Sequence, residues 1–550
     1  MTRPRTTPTL PIPNYPPTDT RDDNNAALAA GEVKSFWRAW RFWLTPALIS
    51  LVLAICFADP FVGDWDAIDY TVLAVRGQPS SMAFGRSLFL YTNHALWLIA
   101  HALFHLRAEN AYLLFKYTVI AETPFAIIVC WLLARDLTRS VYTATIAALF
   151  ITASPTFIVY SGQAMTEIPF ILLTATALVV HLRGVRKRKL WLLFTGAALL
   201  GVCVNVREAA AFYAPWLVLA PFVCGWKRAR REITIVVLSC ALFSLFAIGG
   251  FAFLFATDAF SYRASWFSWR ESLVMEAARH PLGWHNLFIF LLFFFVASPL
   301  IFVALPAAIS QEWKHRNFSP LLLLACVGLF ADALLLFNYS TAINWRYFLT
   351  GLPALVPLAA NYFMRTQSLK LKSVRRAFWS ITLAIAFVAA LFAFYRQPVA
   401  SENLRNRALT KDYIERLRSL PTDAVVIAGA QTVGVTYWRG LGAGNWEVIG
   451  TGGGWPGADV SSVITKYLSD KRRVFLDIDP RWWSACGWQV EEARELAEIE
   501  SQFHFQRVSE TIYEIKLRND ETARDVPNLL SLLPENRPAD AKQCLGLNKE

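Results

Sequence analysis

Apolar residues in this chain come in long unbroken blocks separated by short polar segments, with little alternation until the last third. Blocks of roughly 17–25 residues match the length at which a helix, rising about 1.5 Å per residue, crosses the hydrocarbon of a bilayer. The pattern predicts spans at roughly 43–58, 111–134, 140–158, 166–182, 190–206, 209–225, 233–256, 287–309, 318–337, 348–364 and 377–395, about eleven in all. RSLFLYTNHALWLIAHALFHL (86–106) is long enough to be another. Its His94, His101 and His105 fall on one helical face, however, and it reads as a helix lying in the membrane plane. The His pair at i, i+4 has zinc-ligand spacing, but no third ligand stands at motif distance, so no metal is expected.

The side on which the basic residues fall orients the bundle. With 86–106 in the interface, RGVRKRK (183–189), WKRARRE (226–232) and RTQSLKLKSVRR (365–376) share one face with Lys34, Arg38 and Arg41. Cytoplasmic loops carry this excess, so the N-terminus reads as cytoplasmic. The loop opened by GDWDAIDY (63–70) and everything after about residue 396 then read as extracytoplasmic. The formal net charge of +12 is thus a membrane signal, and no nucleic-acid partner is expected. With 55% hydrophobic and 17% charged residues, the chain excludes an ordinary soluble protein.

Outside the bundle, MTRPRTTPTLPIPNYPPTDTRDDNN is Pro- and Thr-rich and predicts a disordered tail over roughly 1–35. No cleaved signal peptide is expected. Roughly 36–396 forms the transmembrane part. Roughly 397–520 alternates the helix-like ENLRNRALTKDYIERLRSL with the strand-like AVVIAG, RRVFLDID and TIYEIKL, predicting a small α/β domain, and about 521–550 forms a tail. Cys486 and Cys544 lie in this polar region, and whether they pair is open. TGGGW (451–455) lacks the Lys-Ser/Thr of a nucleotide loop and reads as a turn.

Candidate chemistry gathers on the outer face, where charges at helix ends are costly unless they pair or work. Asp64, Asp66 and Asp69 crowd one short stretch, more carboxylates than a helix cap needs. Glu167 opens the fourth span in SGQAMTEIPF, Arg207 follows the fifth in VNVREAAAF, and Arg346 and Tyr347 precede the tenth in INWRYFLTGLP. An Asp can deprotonate a hydroxyl, while Arg grips a phosphate through two parallel hydrogen bonds. Structural alternatives are helix capping for the acids and interfacial anchoring for the arginines.

These motifs resemble the GT-C superfamily of polyprenyl-phosphate-dependent glycosyltransferases, especially the protein O-mannosyltransferases and aminoarabinose transferases. The family's early acidic motif, an Asp four residues before an aromatic, matches Asp66…Tyr70, followed by TVLAVRGQP. Position 67 is Ala where the family has a second acid, and Asp64 or Asp69 is the substitute. MTEIPFILLTATAL, VNVREAAAFYAPWL and NWRYFLTGLPALVPLAA resemble the family's acid-Pro, Arg-turn and Arg-Tyr segments, and GRSLF with Arg86 resembles the segment closing the first loop. The resemblance implies an inverting transfer of sugar from a polyprenyl-phosphate donor to an acceptor hydroxyl of a glycan, lipid or protein. Asp66 would be the base, and Arg207, Arg346 and Arg86 would hold the phosphate. No cofactor is implied, and the location would be the inner (plasma) membrane. A transporter and a lipid-linked glycan ligase or polymerase are the alternative readings. The lack of an internal hydropathy repeat disfavours the first.

Overall fold

The computed structural model describes residues 40–58, 65–78, 86–258, 297–314, 318–338, 345–366, 415–428, 446–450, 460–478 and 498–518, with isolated positions between 262 and 295. Helices α1 (Trp40–Cys56), α2 (Trp65–Arg76), α3 (Ser87–Phe104) and α4 (Ala111–Thr138) come first. α5 (Val141–Thr152), α6 (Pro155–Ser161), α7 (Glu167–Lys187) and α8 (Leu190–Val204) follow. After a 3-10 turn at Glu208–Tyr213 come α9 (Ala214–Val223), α10 (Arg230–Thr257), α11 (Pro299–Lys314) and α12 (Pro320–Asn338). A second 3-10 turn, Trp345–Leu349, leads into α13 (Leu352–Thr366).

Among the described residues α4, α7 and α10 are each long and apolar enough to cross a membrane alone. α3 is as long as a short span but less apolar than these. The expected straight span at 140–158 is broken: α5 and α6 meet at 68°. Pro155 is the cause, because its ring keeps Ser154 out of the helical region. Ser154 then caps α6 through the Phe157 amide, and its hydroxyl donates to the Ala297 carbonyl at 2.6 Å. The expected span at 209–225 likewise begins as the 3-10 turn and becomes helical only at Ala214. The segment 377–395 lies outside the described residues.

α7 and α4 form the centre of the bundle, with Ala134, Ala175, Leu178 and Trp131 fully enclosed. Small residues set the closest approaches. A side chain at Gly196 of α8 would collide with the backbone of His181 on α7, so this pair of helices needs glycine to pack as tightly as it does. α10 is peripheral: only 17% of its apolar window is buried, as suits a helix facing lipid.

The C-terminal region holds strands β1 (Val425–Ala428), β2 (Glu447–Gly450), β3 (Val474–Asp477), β4 (Phe503–Arg507) and β5 (Ile512–Leu517), with α14 (Val460–Ser469) between β2 and β3. Their order is β2-β1-β3-β5-β4. β1 runs parallel to β2 and β3, and β5 antiparallel to β3 and β4. Side chains alternate as the pleat requires. Val425, Ile427 and Leu476 pack with Val460 and Ile464 of α14. Val426, Phe475 and Ile512 join the buried cluster that runs into the helical bundle. AVVIAG, RRVFLDID and TIYEIKL each carry a strand, whereas TGGGW, Cys486 and Cys544 lie outside the described residues.

Candidate active site

The apolar blocks end in charged residues, and the fold brings one set of those ends together. Asp66 lies in the first turn of α2, where the helix dipole favours an acid, and is 9% exposed. Arg346, on the turn before α13, reaches its Oδ2 at 2.8 Å, and Arg86, just before α3, at 3.4 Å. Tyr70, one turn along α2, donates its hydroxyl to the same oxygen at 3.5 Å and presents its ring to the Arg86 guanidinium at 5.2 Å. Glu167, the first residue of α7, accepts from Arg207 at 2.5 Å and lies 4.0 Å from Arg346. The Tyr347 ring stands between two guanidiniums, 5.4 Å from Arg207 and 5.5 Å from Arg346. A continuous chain of charges therefore runs Glu208–Arg86–Asp66–Arg346–Glu167–Arg207.

Backbone contacts hold this arrangement. The Leu88 amide donates to the Asn205 carbonyl at 2.9 Å, tying the segment of Arg86 to that of Arg207. His94 bonds the Ala74 carbonyl at 2.7 Å, fixing α2 on α3, and its ring fills the space beside Gly77. His101 bonds the Leu106 carbonyl at 2.9 Å. Of the three histidines expected on one face, His94 and His101 thus each have a ring nitrogen engaged by backbone. Among the described residues no group of three His, Cys, Asp or Glu side chains is placed to hold a metal ion.

Burial pushes the Asp66 carboxyl up, but the guanidiniums of Arg346 and Arg86 outweigh it and hold the group below its ordinary value. Asp69 behaves oppositely. Burial first, and then the charge of Asp66, push its carboxyl up to about 6, with Arg86 pulling the other way. Burial opposes the charge on Arg86, yet Glu208 and Asp66 more than offset this and raise its pKa. Several polar atoms here are buried with no hydrogen-bond partner among the described residues: Nε of Arg86 and Arg207, Oε2 of Glu167 and Glu208, and Oδ2 of Asp69. Such groups are uncommon in packed interiors.

A mostly apolar cavity of about 90 Å³ has a lining that includes Phe89, Asn93, Val119, Glu122, Pro169 and Val206. Val206 of this lining adjoins Arg207 in sequence, and Pro169 lies two residues after Glu167.

Of the residues singled out by sequence, the structure joins Asp66, Arg86, Glu167, Arg207, Arg346 and Tyr347. Asp69 stands one helical turn from Asp66, outside the chain of ion pairs, and Asp64 lies outside the described residues. Glu208 and Tyr70 were missed as participants. Glu208 adjoins Arg207 and looks in sequence like an ordinary charge neighbour. Tyr70 stands out in sequence only by its spacing from Asp66.

Residues 92–253 match the family described as dolichyl-phosphate-mannose-protein mannosyltransferase. In fold, the chain is similar to the oligosaccharyltransferase AglB from Archaeoglobus fulgidus, solved with an inhibitory peptide and a dolichol-phosphate. The TM-score is 0.50 at 15% identity, covering 90% of this chain and 75% of that one. It is also similar to ArnT from Cupriavidus metallidurans bound to undecaprenyl phosphate. There the TM-score is 0.52 at 12% identity, covering 86% of this chain and 98% of the other. No curated protein sequence matches the chain. The resemblance to the GT-C superfamily thus rests on a family match over residues 92–253 and a shared fold.

Proposed function

We propose that the chain transfers a sugar from a polyprenyl-phosphate donor to an acceptor hydroxyl on the outer face of the membrane, with inversion at the anomeric carbon. The observation that carries this reading is the union of Asp66 with Arg346, Arg86, Glu167 and Arg207 at one end of the bundle. The acceptor oxygen attacks the anomeric carbon as the bond to the phosphate oxygen breaks. Asp66 takes the hydroxyl proton, and the phosphate leaves with its charge on Arg346 and Arg207. A carboxylate gripped by two guanidiniums is a weak base. A donor phosphate competing for Arg346 loosens that grip, so Asp66 becomes basic when the donor is in place. The apolar cavity lined by Phe89, Val119, Pro169 and Val206 suits prenyl carbons of the donor, with the rest of the lipid in the bilayer.

The one-sided basic loops support an extracytoplasmic site and an extracytoplasmic C-terminal domain over roughly 397–520. That the two solved structures of like fold hold dolichol-phosphate and undecaprenyl phosphate supports the donor class. The decisive experiment incubates the purified full chain with radiolabelled polyprenyl-phosphate sugars and a crude acceptor fraction from envelope. Label is expected to move from lipid to acceptor, and Asp66→Asn is expected to stop it. Absence of transfer from every polyprenyl-phosphate sugar, beside transfer from a pyrophosphate-linked glycan, would replace this reading with a ligase.

A further inference from the structure

Arg346 reaches Asp66 from a short 3-10 turn, and such a turn is too brief to fix its own direction. Its exit, Thr350–Gly351, is held from two sides by buried side chains of other elements. The Tyr213 hydroxyl donates to the Thr350 carbonyl at 2.6 Å. Asp332, in the apolar helix α12, accepts the Gly351 amide on Oδ1 at 2.7 Å. The Thr350 amide in turn donates to the Tyr347 carbonyl at 3.0 Å, so the tie reaches the residue beside Arg346.

Asp332 is 1% exposed in PLLLLACVGLFADALLLFN, where a carboxylate is expensive and packing alone calls for a leucine. Its Oδ2 is buried with no hydrogen-bond partner among the described residues. The Gly351 amide and the positive end of the α13 dipole offset part of the cost of burying this acid. Gly351 is part of the device: a Cβ there would collide with the Asp332 carboxylate.

We propose that Asp332 is a positioning residue for the phosphate-holding Arg346, fixing the Thr350–Gly351 junction and so the place of the turn that carries Arg346 and Tyr347. This rests on the reading of Arg346 given above. The test uses the full chain in detergent, with Asp332→Ala and Asp332→Asn, each alone and combined with Arg346→Ala. Hydrogen exchange over residues 345–352 and binding of undecaprenyl phosphate are measured, with a melting curve to check folding. Asp332→Ala is expected to speed exchange at Gly351 and weaken lipid binding about 10- to 100-fold. Asp332→Asn, which keeps the acceptor, is expected to recover most of both. Adding Asp332→Ala to Arg346→Ala is expected to cost no further affinity. Equal fractional losses in the two backgrounds, or unchanged exchange at Gly351, would overturn the proposal. Normal binding by Asp332→Ala beside defective binding by Arg346→Ala overturns this proposal alone. Normal binding by Arg346→Ala overturns the phosphate reading and this proposal with it.

Discussion

Helix α7 has arginine–carboxylate pairs toward both ends, roughly 24 Å apart, and the two ends are built differently. At its start, Glu167 and Arg207 are each 2% exposed and belong to a chain of charges drawn from segments far apart in sequence. At its end, Asp136 takes Arg183 at 2.6 Å and its own neighbour Arg135 at 3.3 Å, with Arg183 33% exposed. The shallow end needs only the positive-inside rule and helix-end electrostatics to explain it. The deep end does not have so cheap an explanation. A buried ion pair is weak evidence for stability, because desolvation consumes most of the attraction. Charges collected there from separate segments, with buried atoms left unpartnered, point to a task.

The largest difference between the two ends should appear in transfer. Asp66→Asn keeps the shape of the side chain and removes the proposed base, and the rate is expected to fall about 10²- to 10⁴-fold. Donor lipid should bind at least as well, since Arg346 is released from the carboxylate. Arg346→Ala is expected to cost about 30- to 1,000-fold and Arg346→Lys less, because lysine keeps the charge but loses the planar fork. Arg183→Ala, at the far end, is expected to leave transfer within about twofold, because this part-buried pair lies away from the site. Rates measured together in one detergent decide this. Equal losses at Arg183 and Arg346 would erase the distinction between the ends.

The deep end was partly legible in the sequence, and the reason is physical. Asp66, Arg86, Glu167, Arg207 and Arg346 interrupt or border apolar blocks, where any charge demands a purpose. One-sided basic loops then put them on a common face. Glu208 gave no signal of its own, because a charge next to a charge is ordinary in a loop. Asp332 and Tyr213 lie inside apolar blocks, and only the fold shows that both reach the junction Thr350–Gly351. The bend between α5 and α6 was written in Ser154–Pro155, yet hydropathy averages straight across it.

Stability should separate the ends less sharply. Glu167→Gln leaves Arg207 charged at 2% exposure with its anion removed, and breaking a buried pair in this way costs about 3–5 kcal/mol. Asp136→Asn should cost about 1 kcal/mol or less, since Arg183 can turn to water. Thermal melting of both variants at one pH and lipid-to-protein ratio tests the ordering. A smaller shift for Glu167→Gln than for Asp136→Asn would mean that water reaches the deep pair, and its burial would lose its meaning.

The smallest effect concerns Asp69, and pH makes it readable. Its carboxyl stands at about 6 against an ordinary 3.8, so the folded protein takes up this proton more readily than the unfolded chain. Stability from this group therefore rises as pH falls from about 6 toward 4, and above about 6 the charged form opposes folding at full strength. Asp69→Asn removes that charge and should stabilise the protein by on the order of 1–3 kcal/mol at pH 8. The gain should shrink as pH falls from 6 and vanish by about pH 3, where Asp69 is neutral in both states. Melting temperatures of wild type and variant at pH 4.5, 6 and 8 give the slope, and an equal gain at all three would show that charge is not its source. The same variant also sharpens the comparison between the ends. If it melts higher but transfers more slowly, the unfavourable charge beside Asp66 is kept for the reaction, as strain at a working site is; if transfer is unchanged, Asp69 belongs to the scaffold and Asp66 works without it.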